Sequence, residues 1–554
     1  MPDGRAKWTP RLLAFSLALG GLRDQRLFAV AGAAAWAAVC LERPPLGAAA
    51  AWLPWLSWAA LSTVVSVQPL AGLPVLARWS TVLACASLAS SWDARRREDW
   101  LKWLLGVAAV LATAALATGA GHGFRNAMTG LIPPYYNYTA FVLSAAAAAS
   151  AAWALHPRGP RGREAKAAAA LAVLALVCVL LAHSRGAWLG LGAAAAVWSV
   201  RRWGTRAFAA VAVAGALLGA ALAGGFLPGA VEDAILKTYR PHAEARPRLW
   251  RAAAGVATDL PLLGTGPGSF AAGFRRRPVE FADGAARWSM STDYAHSEPL
   301  QAAAETGWAG LALWLLGAGA ALSALFRRAG EDPIQEAAAA AAAMTAQLLT
   351  DNMLQLPALA ALWLCALALA APPSHGGKRW PRAAVLAGAA LALVSWIPKT
   401  LAAAGPERAA ALFPAEPGPR EDLAYAAMAA GQYREAETRW TEAQALEPFN
   451  AIYPWRRAQL AAASGRWPLA ESLAARAVKL EPGFLGARLL RAEALVRLGR
   501  APEARAALAE ILKLRAGRAD VATDSGYERT VRSFDPKDYD RVAALAGRPP
   551  LGRE

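Results

Sequence analysis

The chain has 554 residues, a hydrophobic fraction of 56%, 23 tryptophans and a formal net charge of +18. That fraction exceeds the roughly 45–50% usual for soluble proteins, so the two or three soluble domains such a length would suggest do not account for most of it. The positive charge falls in short clusters between apolar runs, a pattern that reports membrane orientation and argues against a nucleic-acid partner.

Apolar helical runs lie near 8–21, 26–41, 46–66, 70–90, 100–119, 133–155, 167–183, 187–200, 207–224, 297–325, 334–352, 357–371 and 382–399. A bilayer span takes about 20 residues, so these predict thirteen spans, or twelve if the first run lies in the interface. No cleavage site follows the first run, which is expected to remain as a span. Cys40, Cys85, Cys178 and Cys365 all fall in apolar runs without metal or disulfide spacing and are expected to be inert buried thiols.

Five basic stretches, Asp93–Asp99, His156–Lys166, Arg201–Arg206, Arg327–Asp332 and Ser374–Arg382, fall on one side in a thirteen-span register with a cytoplasmic N-terminus. The same register sends the His183–Gly186 junction, a long loop over 226–297 and the C-terminal region to the other side. That loop carries Arg240, His242, Arg246, Arg248, Asp283 and His296.

Beyond about residue 401 the composition turns soluble. Gly431, Gly465 and Gly499 recur at 34-residue spacing, as do Ala436, Ala470 and Ala504, and Glu447-Pro448 is followed by Glu481-Pro482. Glycine between helices and proline at the repeat end resemble the tetratricopeptide repeat. The expected division is a membrane domain over 1–400 containing the loop 226–297, a linker over 401–419, repeats over 420–517 and a polar tail over 518–554.

Gly264, Gly266 and Gly268 suggest a phosphate loop, but no strand precedes them and no Rossmann unit follows, so with Pro261 and Pro267 they read as a tight re-entrant turn. Arg185 sits at the mouth of a helical hairpin, where it either snorkels or offers a fork of donors to a phosphate or diphosphate. Arg246 and Arg248 open an amphipathic stretch and either cap the same anion or form a solvated basic face. His296, just before a long span, is either a proton acceptor for an attacking sugar hydroxyl or an interfacial histidine. Gln301 and Glu305 lie one turn apart at the start of that span and either contact substrate or satisfy a neighbouring helix. Tyr135, Tyr136, Asn137 and Tyr138 head another span, as an aromatic belt or as sugar contacts. Asp283, Asp293, His296 and Glu305 have no paired metal-ligand spacing, so no metal or other cofactor is expected.

The order of Ser184-Arg185-Gly186, the R-x-x-x-W of Arg246 to Trp250, the turn from Asp259 to Phe270 and the segment from His296 to Gly307 resembles the O-antigen ligase and polymerase superfamily. Ser297 stands where that family commonly has Asn, and a repeat domain follows the last span. The resemblance implies an all-α polytopic membrane bundle of the glycosyltransferase-C type, here with a helical tetratricopeptide repeat domain. It implies transfer from an undecaprenyl-diphosphate-linked glycan without metal or nucleotide sugar, in the bacterial inner membrane with loop and repeats in the periplasm. By motif, Arg185 and Arg246 would hold the diphosphate and His296 would be the base, with Arg248, Gln301 and Glu305 as substrate contacts. The acceptor would be lipid A core or a second glycan, with membrane lipids around the spans and a possible protein partner on the repeats. Polymerisation, protein O-glycosylation and glycolipid transport are the competing readings.

Overall fold

The structure is a computed structural model that describes residues 11, 16, 20–121, 124, 128–132, 135–204, 206, 213, 245–277, 292–326, 332–338, 340–374, 376–396, 405–516 and 526–549. Arg240, His242, Asp283 and nearly all of the runs 8–21 and 207–224 lie outside these residues.

The described membrane part comprises α1 (Gln25–Glu42), α2 (Leu53–Val64), α3 (Pro69–Ser91), α4 (Ala94–Ala120), α5 (Tyr136–Leu155), α6 (Gly162–Leu181), α7 (Arg185–Trp203), α8 (Ala245–Asp259), α9 (Phe270–Phe274), α10 (Glu298–Leu322), α11 (Pro333–Ala338), α12 (Ala341–Leu348), α13 (Pro357–Leu369) and α14 (Arg382–Val394). The repeat region follows as α15 (Pro406–Leu412), α16 (Pro417–Ala429), α17 (Tyr433–Leu446), α18 (Ile452–Ala463), α19 (Trp467–Leu480), α20 (Leu485–Arg497), α21 (Ala501–Ala516), α22 (Gly526–Arg532) and α23 (Pro536–Leu545). Among the described residues the regular elements are all helical, and the chain is a polytopic helix bundle with a C-terminal tetratricopeptide region.

Five described helices are long and apolar enough to cross a bilayer: α3, α4, α5, α6 and α10 with its 3-10 extension to Phe326. Other runs are interrupted. The run 46–66 divides into a 3-10 stretch, Gly47–Trp52, and α2, and the run 334–352 divides into α11 and α12. Alanine-rich helices carry little hydrophobic signal of their own, so an unbroken apolar run does not report such breaks.

Small residues let the helices approach closely. Their core holds a tryptophan cluster in which Trp52 stacks on Trp79 at 5.3 Å and meets Trp314 and Trp363 edge-on at 5.6 and 5.8 Å. By contrast α6 turns Val173, Leu176, Val177 and Leu180 outward, an apolar face suited to lipid. Cys85, Cys178 and Cys365 are buried, whereas Cys40 is exposed: its apolar run places it on a helix, but on the face turned away from the core.

The described parts of the basic stretches gather at one end of the bundle. Arg96 pairs with Glu42 at 3.1 Å and Lys102 with Glu164 at 3.0 Å. Lys378 O accepts from Leu46 N, and Arg201 reaches the carbonyls of Ala324 and Gln335. The site described next lies at the opposite end.

Candidate active site

The segment before α10 is held from both sides. His296 has a φ of +52°, in the left-handed region that non-glycine residues enter at a cost of about 1 kcal/mol. Trp250 Nε1 donates to the His296 carbonyl at 3.0 Å. Ala295 N donates to Gln301 Oε1 at 2.7 Å, and Gln301 Nε2 donates to Glu305 Oε1 at 2.7 Å and to Asp293 O at 3.4 Å. Glu305 also lies near the backbone N–H groups of Gly268 and Phe270.

The glycine turn mends a broken span. Gly307, at a φ of +73°, interrupts α10, and Trp308 N donates to Pro261 O at 2.8 Å instead of to its own helix. The carbonyls left over on Ala304 and Glu305 accept from Thr265 N at 3.0 Å and Gly266 N at 2.9 Å. Irregular backbone at membrane depth is tolerated where protein groups replace its partners, as here. A Cβ at Gly264 would strike the Glu305 backbone and one at Gly266 would strike Ser66, so these glycines serve close backbone approach.

Asp351 is the hub, in the non-helical link between α12 and α13. Its Oδ1 accepts from His296 Nδ1 at 3.2 Å and from Asn352 N at 3.0 Å. Its Oδ2 accepts from Arg246 Nη2 at 3.0 Å and from Asn137 Nδ2 at 2.6 Å. These four donors use the whole acceptor capacity of one carboxylate. Burial alone would raise the Asp351 carboxyl; the Arg246 charge and the His296 contact outweigh it and bring the group down to about 2. Asn137 Oδ1 in turn accepts from Ser184 Oγ at 2.9 Å, and Ser184 caps α7. The Asp351 link is tied at its far end, where Leu354 N donates to Glu298 Oε1 at 2.7 Å and Arg78 Nη1 donates to Gln355 O at 3.1 Å.

Residues 170–315 match the family model for O-antigen ligase, about a quarter of the chain, and residues 461–523 match a tetratricopeptide repeat. The chain carries an O-antigen ligase domain followed by tetratricopeptide repeats. No curated protein matches it. This ligase domain supports a glycosyltransferase-like function of the ligase or polymerase type, in a multi-pass membrane protein.

The matched segment contains Arg185, Arg246, Arg248, His296, Gln301 and Glu305, but Arg78, Asn137 and Asp351 come from outside it. His296 and Arg246 converge on Asp351 with side chains 34% and 28% exposed, so a ligand can reach both. Arg185 opens α7 next to the Ser184 cap and is half-buried. Arg248 is half-buried too, but two residues along a helix is roughly 200° around it, so it does not share the face of Arg246. Trp250, one turn from Arg246, does share it, which explains the R-x-x-x-W spacing. Gln301 and Glu305 are buried behind His296 and spend polar atoms on each other and on backbone, an arrangement that positions the histidine and the glycine turn. The tyrosine-rich segment enters the site through Asn137, with Tyr138 buried. Among the described residues no three His, Cys, Asp or Glu side chains gather as a metal cage requires.

Sequence reasoning passed over Asp351, Arg78 and Glu298. The available signal was an acidic residue closing the apolar run 334–352 and an arginine in the middle of the run 70–90, both costly unless partnered.

Proposed function

We propose that this protein transfers a glycan from undecaprenyl diphosphate to an acceptor at the outer face of the bacterial inner membrane. The carrying observation is the convergence of His296 and Arg246 on the buried Asp351, at the end of the bundle opposite the basic loops. With a proton on Nδ1, His296 donates to Asp351 and leaves Nε2 as the acceptor for a hydroxyl proton, the geometry of a base oriented by a carboxylate. The acceptor oxygen attacks the anomeric carbon as its proton passes to Nε2. The bond from that carbon to the diphosphate oxygen breaks, and the electron pair leaves with the diphosphate, inverting the centre. Arg246 and Arg185 stabilise that developing anion, and Arg248 adds to the positive field. Basic loops at the opposite end support an outer-face site by the positive-inside rule. In this reading 1–400 forms the membrane domain and 420–517 the repeats, with 401–419 linking them and 518–554 as tail.

The test supplies purified protein in liposomes with undecaprenyl-diphosphate glycan, with and without lipid A core, beside His296→Ala. Core-dependent product that disappears in the variant supports ligation. Chain lengthening without core identifies a polymerase instead. An absence of transfer to core, glycan or protein acceptors rejects the proposal and turns attention to glycolipid transport.

A further inference from the structure

The repeat region reaches back onto the loop that carries the site. Arg275 ends α9, and its guanidinium pairs with the Glu447 carboxylate, with side chains only 13% and 6% exposed. A buried pair of this kind gains from further hydrogen bonds to its members, and here they fall on Glu447, while Arg275 Nε has none among the described residues. Glu447 Oε2 accepts from Asn450 Nδ2 at 3.0 Å and from Tyr453 OH at 3.2 Å, and Tyr453 OH also reaches Glu421 Oε2 at 3.4 Å. Arg275 lies 4.8 Å over the Tyr527 ring, and the neighbouring Arg276 lies 4.8 Å over Phe449. A separate contact joins Glu416 to Leu70 N, at the first turn of α3 where backbone N–H groups lack helical partners. One repeat later, Glu481 bonds within its own turn, accepting from Gly483 N at 3.2 Å.

We propose that the repeats act in cis as a clamp on the catalytic loop, with Arg275 as a positioning residue seated in a pocket of Glu447, Asn450, Tyr453 and Tyr527. The opposite face of α9 explains what the clamp holds. Phe270 and Phe274 pack with Leu249 and Val256 of α8 and with Ala295 and Ala304. Arg246 begins that same α8, and His296 directly follows Ala295. α9 therefore lies between the repeats and the two segments that carry Arg246 and His296. The repeat surface around Glu447 is occupied by the protein's own arginine, so any partner protein would have to dock elsewhere or displace it.

The clamp rests on the transfer reading only for its activity arm. The structural arm is amide hydrogen exchange of full-length protein in nanodiscs, followed over 270–277 and 292–300 in wild type, Arg275→Met, Glu447→Leu, the double variant and Arg275→Lys. Each single variant leaves one buried charge without its partner, so exchange over 270–277 should rise at least roughly tenfold. The double variant should exchange much less than the product of the singles, because partners in contact are coupled. Arg275→Lys should retain part of the protection, with exchange over 467–516 unchanged as the check on folding. In the activity arm the single variants should slow kcat and leave the donor KM within about twofold. Unchanged protection in both singles, or effects that simply multiply in the double, overturns the clamp. If no sample transfers glycan while the exchange pattern appears as described, the proposed function fails and the clamp stands.

Discussion

At the basic end of the bundle, Arg97 is fully buried and donates to the carbonyls of Trp92, Leu369 and Ala371 at 2.9, 3.3 and 2.8 Å. Arg201 does the same for Ala324, Leu325 and Gln335 at 3.1, 3.2 and 3.3 Å. Both lie where helices stop and the last carbonyls lack partners. At the other end, Arg246 meets a carboxylate that it shares with His296 and keeps part of its surface open. An arginine committed to helix-end carbonyls closes the fold, whereas one balanced on a shared carboxylate keeps donors for an incoming anion. In the proposed mechanism the same residue type therefore serves opposite functions according to what its donors meet.

The difference can be broken at either end. His296→Ala should lower transfer by roughly 10³-fold while thermal unfolding in detergent stays near wild type, since among the described residues the side chain bonds only to Asp351. Arg97→Met should do the reverse. It leaves the carbonyls of Trp92, Leu369 and Ala371 without this donor and should cost about 3 kcal/mol of stability, with transfer per folded molecule unchanged. Asp351→Asn sits between these extremes and should slow transfer at least roughly a hundredfold.

It should also cost about 2 kcal/mol of stability, with a defined pH dependence. The Asp351 carboxyl is depressed to about 2 in the fold, so the unfolded chain binds the proton more readily and stability rises with pH in that range. The gap between wild type and Asp351→Asn should close as the pH falls from about 5 towards 2. Unfolding curves across that range check it, and a gap that stays open down to pH 2 counts against the ion pair. The smallest effect is expected from Glu298→Gln, which weakens the tie to Leu354 N. Transfer should fall about tenfold through kcat, with a smaller change in donor KM; a pure KM effect would place Glu298 on the substrate instead.

Much of this was legible from the residues. The helical class followed from the length and apolarity of the runs, and the repeats from the 34-residue spacing of Gly431, Gly465 and Gly499. His296 and Arg246 were legible because a basic loop between apolar runs is unusual and because their motifs resemble a known family. Asp351 was not, since it lies 55 residues beyond His296 at the close of an ordinary apolar run. Gln301 and Glu305 were seen as chemically unusual, but whether a buried amide and carboxylate face substrate or backbone depends on what packs against them. The span count was softened by alanine, which continues an apolar run through breaks such as the one after Ala338.

Composition and periodicity by themselves determined the helical membrane class, the clustering of charge between runs, the repeat period and the residues able to do acid–base or anion chemistry. These are local properties, set by side-chain type and spacing along the chain. Only the tertiary structure decided that Asp351 joins His296 to Arg246, that the glycine turn mends the break at Gly307, and that Arg275 enters the repeats. Each of those contacts joins segments between about 40 and 170 residues apart, as from Arg275 to Glu447, and no local pattern specifies which distant partner satisfies a buried polar group.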